Sequence, residues 1–183
     1  MNAVQVRPAT AADVPGIAAV GTRAFRAAYG PSTRPEDAAV HLERYFSAAA
    51  VRRALATAGC RYLVAEADAT IAGFALLRAG APPADVPADN ALEVGQLYVA
   101  PERQRLGAGR ALIEAAAALA SAEAAEGIWL TTWEDADWAI AFYTGIGFRR
   151  VGSADFPVGA PHYRDALLWL PVARTGAGPA PGA

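Results

Sequence analysis

At 183 residues the chain is long enough to bury well over half of its unfolded surface, and its net charge of −2 offers no electrostatic footing for a nucleic-acid partner. A single cysteine, Cys60, excludes an internal disulfide and points to a reducing compartment, so a cytoplasmic protein is expected. No apolar run approaches the roughly 20 residues of a membrane span, no signal-peptide pattern opens the chain, and no metal-ligand spacing is present. The hydrophobic fraction of 54% is inflated by alanine, and all 16 basic side chains are arginines.

The elements alternate between strand and helix patterns. Val4 to Arg7 reads as a short strand, and Thr10 with Asp13 as a capping box that opens a helix reaching about Ala28. Pro31 to Pro35 interrupts it. Two short helices follow, one from Glu36 to Tyr45 and one from Ser47, an N-cap, to Gly59, a C-cap. Cys60 is expected as a small buried residue at the start of the next strand. Residues 61–67 and 70–78 flank a short polar turn and predict an antiparallel hairpin. The prolines of AGAPPADVPADN exclude regular structure and predict a mobile loop. Leu92 to Val99 is a strand, 107–125 an Ala-rich helix with Leu112, Ala116 and Leu119 on one face, and Ile128 to Trp133 another strand. Asp135 or Asp137 caps a helix that carries Phe142 and Tyr143 and closes at Gly145 and Gly147. Strands near 148–155 and 163–170 end the fold. The predicted organisation is one domain over 1–172 and a disordered Gly/Pro/Ala-rich tail over 173–183.

The stretch LYVAPERQRLGAGRAL, 97–112, runs from a strand through a glycine-punctuated turn into a helix. Gly107 and Gly109 let the backbone wrap around a ligand, and the helix start adds free N–H donors and roughly half a positive charge. Arg103, Arg105 and Arg110 crowd the same turn, where their planar forks suit phosphate oxygens. A P-loop is excluded, because Arg110 and Ala111 stand where it needs Lys and Ser or Thr. A dinucleotide fingerprint needs a third glycine at position 112, which is Leu. A tight turn with a solvated arginine face remains the plain alternative.

Gln104-X-X-Gly107-X-Gly109, with Pro101 before it and GRALIEAAAALA after it, resembles motif A of the GCN5-related N-acetyltransferases (GNAT). AIAFYTGIGF at 139–148 is similar to that family's motif B. VRPATAADVPGI, YLVAEADATIAGFALL and YRDALLWL resemble its flanking elements, so the resemblance covers nearly all of residues 4–172. It implies an α/β fold of the α+β kind, with a central, mostly antiparallel mixed sheet of six to seven strands and about four to five helices. It also implies acetyl-CoA as cofactor and an acyltransferase reaction on an amine. The diphosphate would lie on Gln104, Arg105, Leu106, Gly107, Ala108, Gly109 and Arg110, and the pantetheine on main-chain groups of Leu97, Tyr98 and Val99, with Ala139 and Phe142 also at the cofactor. Two departures stand out: Arg105 replaces the glycine that usually follows the glutamine, and Ala136 stands where an asparagine commonly opens the motif B helix.

Acyl transfer to an amine makes three demands. A protonated amine with a pKa near ~10.4 must lose a proton, negative charge on the carbonyl oxygen must meet a backbone N–H, and the departing thiolate must be protonated. The resemblance gives the last task to Tyr143, a phenol of pKa ~10 facing a thiolate of pKa ~8.5. On this reading Phe142 packs in the core and Tyr143 faces the cleft; two core aromatics are the alternative. Strand alternation puts Glu93, Gly95 and Leu97 on one face and makes Glu93 the candidate base, against an edge-of-sheet ion pair. Gly95 is a place for a bulge. Glu134 is the second candidate base.

WEDADWAIAFYTGIGF, LEVGQLYV and AFRAAYG resemble a bacterial spermidine/spermine-type subgroup, which implies a small primary amine or polyamine as acceptor. Glu93, Glu134, Asp135, Asp155 and Asp165 are acids able to concentrate a cation. Phe25, Tyr29, Arg34 and Glu134 are the candidate acceptor contacts, with His162 and Tyr163 on the opposite side. Acetylation of a protein N-terminus or an aminoglycoside-like molecule, and acyl-CoA sensing without turnover, are the rival readings. The expected partners are a small-molecule amine and no nucleic acid or membrane, for a monomer or homodimer.

Overall fold

The computed structural model describes residues 4–156 and 163–173. His162 and the 174–183 part of the predicted tail lie outside the described residues. In chain order the regular elements are β1 (Gln5–Pro8), α1 (Val14–Tyr29), α2 (Pro35–Phe46), α3 (Ala48–Ala56), β2 (Cys60–Ala67), β3 (Thr70–Gly80), β4 (Ala91–Val99), α4 (Ala108–Ala122), β5 (Gly127–Trp133), α5 (Asp137–Gly145), β6 (Arg149–Phe156) and β7 (Tyr163–Pro171). The strands form one seven-stranded sheet in the order β1-β2-β3-β4-β5-β7-β6. β4 and β5 run parallel, while β1–β2, β2–β3, β5–β7 and β6–β7 are antiparallel. This is the mixed, mostly antiparallel α/β sheet expected from the sequence.

The chain divides into two compact units. The first comprises the residues up to Arg78 together with Gly95–Ala116. Its core is built by α1, which buries Val14, Ile17, Val20, Ala24 and Phe25 at helical spacing against Phe46, Val51, Tyr62, Val64, Phe74 and Leu76. Aromatic edges lock the elements: Phe46 meets Tyr98 at 5.0 Å between ring centres, and Phe25 stacks on His41 at 4.2 Å. Asp68 and Ala69, both with positive φ, make the two-residue β2–β3 turn that a tight hairpin requires.

The second unit comprises Ala79–Val94 and the residues from Ala117 onward. Val86, Ala91, Leu167 and Trp169 are buried together, with Trp129 and Val151 packed beside them. The segment 81–90 before β4 is irregular, as its prolines predict, yet it is anchored rather than loose. Val86 is sunk in that cluster, and the Glu126 carboxylate accepts the N–H of Asp89 at 2.9 Å, so side-chain anchors replace the missing ladder.

Two further details differ from the sequence reading. Along α4, Leu112, Ile113, Ala116 and Ala120 are buried while Leu119 is only partly so, because the 3.6-residue period carries the core face to position 120. Gly59, with φ +79, lies beyond the end of α3, whose C-cap is Thr57. Among the described residues no helix is long and apolar enough to cross a membrane.

Asp13 is 7% exposed and ties the start of α1 to the sheet. Its carboxylate accepts two bonds from Arg7, both at 2.8 Å, and one from the Thr10 N–H at 2.7 Å, which is one arm of the predicted capping box. Arg7 also donates to Glu66 of β2 at 2.6 Å. The Arg7 guanidinium holds the Asp13 carboxyl well below the usual carboxylate range. Its contribution is therefore complete above the unfolded-state pKa and lost as pH falls below about 4. Urea unfolding is expected to show Asp13→Asn about 2 kcal/mol less stable at pH 7. On acidification below about pH 4 the gap to the native chain narrows.

Candidate active site

The turn that the sequence marks as an anion-binding corner lies where β4 ends. The chain passes through a short 3-10 turn at Pro101–Arg103 and then takes two left-handed steps, Arg105 at φ +63 and Gly107 at φ +85. At Gly107 no atom lies within 4 Å of where a β-carbon would stand, so the space beside the backbone is open. The Ala111 N–H bonds to the Gly107 carbonyl at 2.9 Å, which starts the helical ladder. Helix geometry leaves the N–H groups before Ala111 without an intrahelical acceptor, aimed outward at the positive end of a 15-residue helix. These features fit the diphosphate of a coenzyme.

The three arginines of the corner have different employments. Arg103 is committed to Asp68, at 2.8 Å, and so braces the corner against the β2–β3 turn. Arg110 lies 3.9 Å from Glu114 one turn along α4, an exposed and weak pairing. Arg105 and Leu106 are exposed at the tip, Gln104 also is exposed, and Ala108 is buried beneath it. Arg105 occupies with a side chain the left-handed conformation that glycine adopts without steric cost.

Leu97, Tyr98 and Val99 close β4. Tyr98 turns its ring into the aromatic core beside Phe46 and Phe74. A β-carbon on Gly95 would collide with the Arg78 guanidinium, 2.6 Å from Cζ, and Gln96 lines a cavity with that same arginine. The bare backbone of Gly95 therefore leaves that volume to the guanidinium of Arg78.

In the second unit, α5 starts at Ala136, an N-cap with no side-chain bond. Neither Asp135 nor Asp137 caps it, which corrects the sequence reading: Asp137 is already the first helical residue, where its charge favours the helix dipole. The helix closes as expected, with Gly147 at φ +106 and the Phe148 N–H bonded to the Tyr143 carbonyl at 3.0 Å. Ala139 is buried, whereas Phe142 and Tyr143 are both half-buried. The Tyr143 ring is set by edge contacts with Phe142 at 5.1 Å and Phe148 at 5.4 Å, and Phe148 supplies the core aromatic that the sequence reading assigned to Phe142.

The candidate bases lie in this unit too. Glu93 is half-buried and pairs with Trp129 across the parallel β4–β5 ladder. Glu134 stands 3.2 Å from Arg150 as an ion pair. Asp165, opposite Trp133 on β7, accepts a bond from Thr131, and burial pushes its carboxyl above the ordinary range. Register puts Glu93, Trp129, Thr131, Trp133 and Asp165 on one face, the two carboxylates separated by about 13 Å of strand. Asp165 counted only as one acid among several in the sequence; its burial depends on the β7 register.

The candidate acceptor contacts of the first unit have varied roles. Phe25 is 6% exposed and holds α1 against His41 of α2. Tyr29 packs on Phe25 at 5.5 Å, and exposed Arg34 is ion-paired with Asp37 at 2.7 Å. Tyr163 opens β7.

The sequence pattern of the Acetyltransferase (GNAT) family matches residues 23–148, which include both the corner at Gln104–Arg110 and the α5 aromatic pair. The chain belongs to the GNAT acetyltransferase family. It is 30% identical over 156 residues to an uncharacterized N-acetyltransferase of Mycobacterium tuberculosis, spanning 85% of this chain and 96% of that protein. It is also 26% identical over 168 residues to an uncharacterized N-acetyltransferase of Lactobacillus delbrueckii subsp. lactis, over 92% and 97% of the two chains. Among solved structures, the fold matches the PaiA N-acetyltransferase of Thermoplasma acidophilum in complex with coenzyme A, with TM-score 0.72, 19% identity and coverage of 92% and 98%. It matches the ribosomal-protein-S18-alanine N-acetyltransferase of Escherichia coli with TM-score 0.67, 18% identity and coverage of 95% and 97%. The protein is an acetyl-CoA-dependent N-acetyltransferase of the GNAT type.

In this GNAT protein a methyl at Gly107 would enter the open space beside the corner. Gly107→Ala is expected to cost about 1 kcal/mol of stability through its left-handed backbone. Calorimetric titration should show coenzyme A binding weakened by about tenfold, the worth of one charge-assisted hydrogen bond.

Proposed function

We propose that the chain acetylates the primary amine of a small molecule by direct attack, with Tyr143 as general acid and Glu93 as general base. The observation that carries this reading is the main-chain anion cradle at Arg105–Arg110, with its left-handed glycine at the head of α4. Acetyl-CoA, when bound, supplies the acetyl group as a thioester. The Gly107–Arg110 amides and the Arg105 guanidinium hold the diphosphate, and the backbone of Leu97–Val99 pairs with the pantetheine as an added strand would. Gln104 and Leu106 shape the turn, and Ala139 and Phe142 flank the cofactor from α5.

Two proton transfers complete the assignment. The Tyr143 hydroxyl, on a ring fixed by Phe142 and Phe148, delivers a proton to the departing sulfur. A Glu93 carboxylate oxygen takes the proton of the incoming ammonium, directly or through one water. Glu93 is preferred to Glu134 because it lies on β4 just upstream of the Leu97–Val99 segment given to the pantetheine. The polyamine reading of the acceptor rests on the subgroup resemblance, and Glu134, one of its supporting acids, is ion-paired with Arg150. Alternatives keep the cofactor site and change the rest: a protein N-terminus or an aminoglycoside as acceptor, or a sensor that binds acyl-CoA without turnover. Ala136, which offers α5 no side-chain cap, is the observation on the sensor's side.

Thiol release from acetyl-CoA with spermidine, simple amines, amino acids, aminoglycosides and short peptides separates these readings. Release with a small amine supports the proposal; coenzyme binding with no release by any compound overturns it in favour of the sensor. Tyr143→Phe is expected to lower kcat by about 10²-fold with the KM for acetyl-CoA little changed. In Glu93→Gln the pH–rate limb that reports ionisation of the base should disappear, and its persistence would remove Glu93 from the role.

A further inference from the structure

The first unit holds a cavity of about 250 Å³ between the helices α2 and α3 and the strands β2, β3 and β4. Arginines from three separate elements line it: Arg44 from α2, Arg53 from α3 and Arg78 from β3. No acidic side chain is among its lining residues. Guanidinium groups from three elements around one small space offer planar donor forks to the paired oxygens of an anion.

The floor of the cavity is prearranged for such a ligand. The bare backbone of Gly95 makes room for the Arg78 guanidinium, which fills the volume a side chain at Gly95 would need. Tyr62 is 2% exposed, and its hydroxyl donates to Gln96 Oε1 at 3.4 Å, which keeps the Gln96 amide NH₂ available as a donor. Burial pushes the Tyr62 hydroxyl up to about 12, and like any phenol it is protonated at neutral pH. Gln96 directly precedes Leu97–Val99, the segment that the transferase reading gives to the pantetheine. A long polycation is the ligand least suited to this lining.

We propose that the cavity binds a carboxylate of the acceptor, so that the substrate is an amine that also carries a carboxylate, as a free amino acid or short peptide does. This rests on the transferase reading for its link to the amine, but the anion site is testable by itself. Planar guanidinium forks suit a carboxylate, and the neighbouring β4 segment suits an amine held at the thioester.

Cys60, the single cysteine of the chain, lines the same cavity and reports on its charge. Alkylation of the intact protein with iodoacetate and with iodoacetamide is compared with the same two reagents on glutathione. The anionic reagent should gain about tenfold on the neutral one at Cys60, an advantage that salt reduces. Arg53→Gln and Arg44→Gln, at exposed helix positions that do not threaten folding, should each lower that gain, as should Arg78→Gln. Equal relative rates, or a Cys60 closed to both reagents, overturn the proposal.

The kinetic arm uses matched acceptors, amino acids against their amides and β-alanine against propylamine. The carboxylate member should have the lower KM, with the preference lost in Arg53→Gln and Arg78→Gln while kcat is retained, and partly restored in Arg78→Lys. Equal turnover of each pair, or a preference for spermidine, overturns the proposal and leaves the transferase standing. Iodoacetate preference without thiol release from any amine supports the anion site and overturns the transferase reading.

Discussion

The arrangement of this protein depends on turning several backbone N–H groups toward one point in the few residues between β4 and α4. A diphosphate is heavily hydrated, and donors that must first leave other partners gain little by meeting it. Donors at the head of a helix have no intrahelical partner to leave. Presenting them requires the chain to reverse between strand and helix, and the reversal uses two left-handed residues, Arg105 and Gly107, with Leu106 exposed between them. The penalty of roughly 1 kcal/mol or more at Arg105 is maintained by what surrounds it. Arg103 is anchored to Asp68 on one side, and the buried face of α4, through Ala108, Leu112 and Ala116, fixes the other.

The charge pattern follows a similar logic of commitment. With no lysine in the chain, each cation is a planar fork that suits paired oxygens. Arg7 spends its fork on Asp13 and Glu66 and so joins β1, β2 and the entry to α1. Arg150 neutralises Glu134 in the second unit. Arg44, Arg53 and Arg78 instead come from three elements to line one cavity of the first unit.

Elements with a strong local code were legible in the sequence: the Thr10–Asp13 start, Ser47 as N-cap of α3, the paired strands around Asp68–Ala69, and the strand–turn–helix at 97–112. The left-handed turn at the corner was legible because glycine spacing announces it. The features that escaped are set by residues distant in sequence. Val86 looks like loop composition until Leu167 and Trp169 bury it. Phe142 and Phe148 exchange the core role because the turn through Gly147 brings the later ring inward. The Asp165 environment appears only when β7 is in register with β5.

Gly95 has a neighbour in the structure that the strand pattern does not announce. In the sequence it reads as a relaxed point in a strand, a convenience for a bulge. In the structure it is occupied space: the absence of a side chain lets a guanidinium from β3 lie against β4, and Gln96 lines a cavity with it. A side chain at Gly95 would have to displace that guanidinium, so the missing β-carbon is what lets a cation of β3 lie beside the strand that runs on into Leu97–Val99.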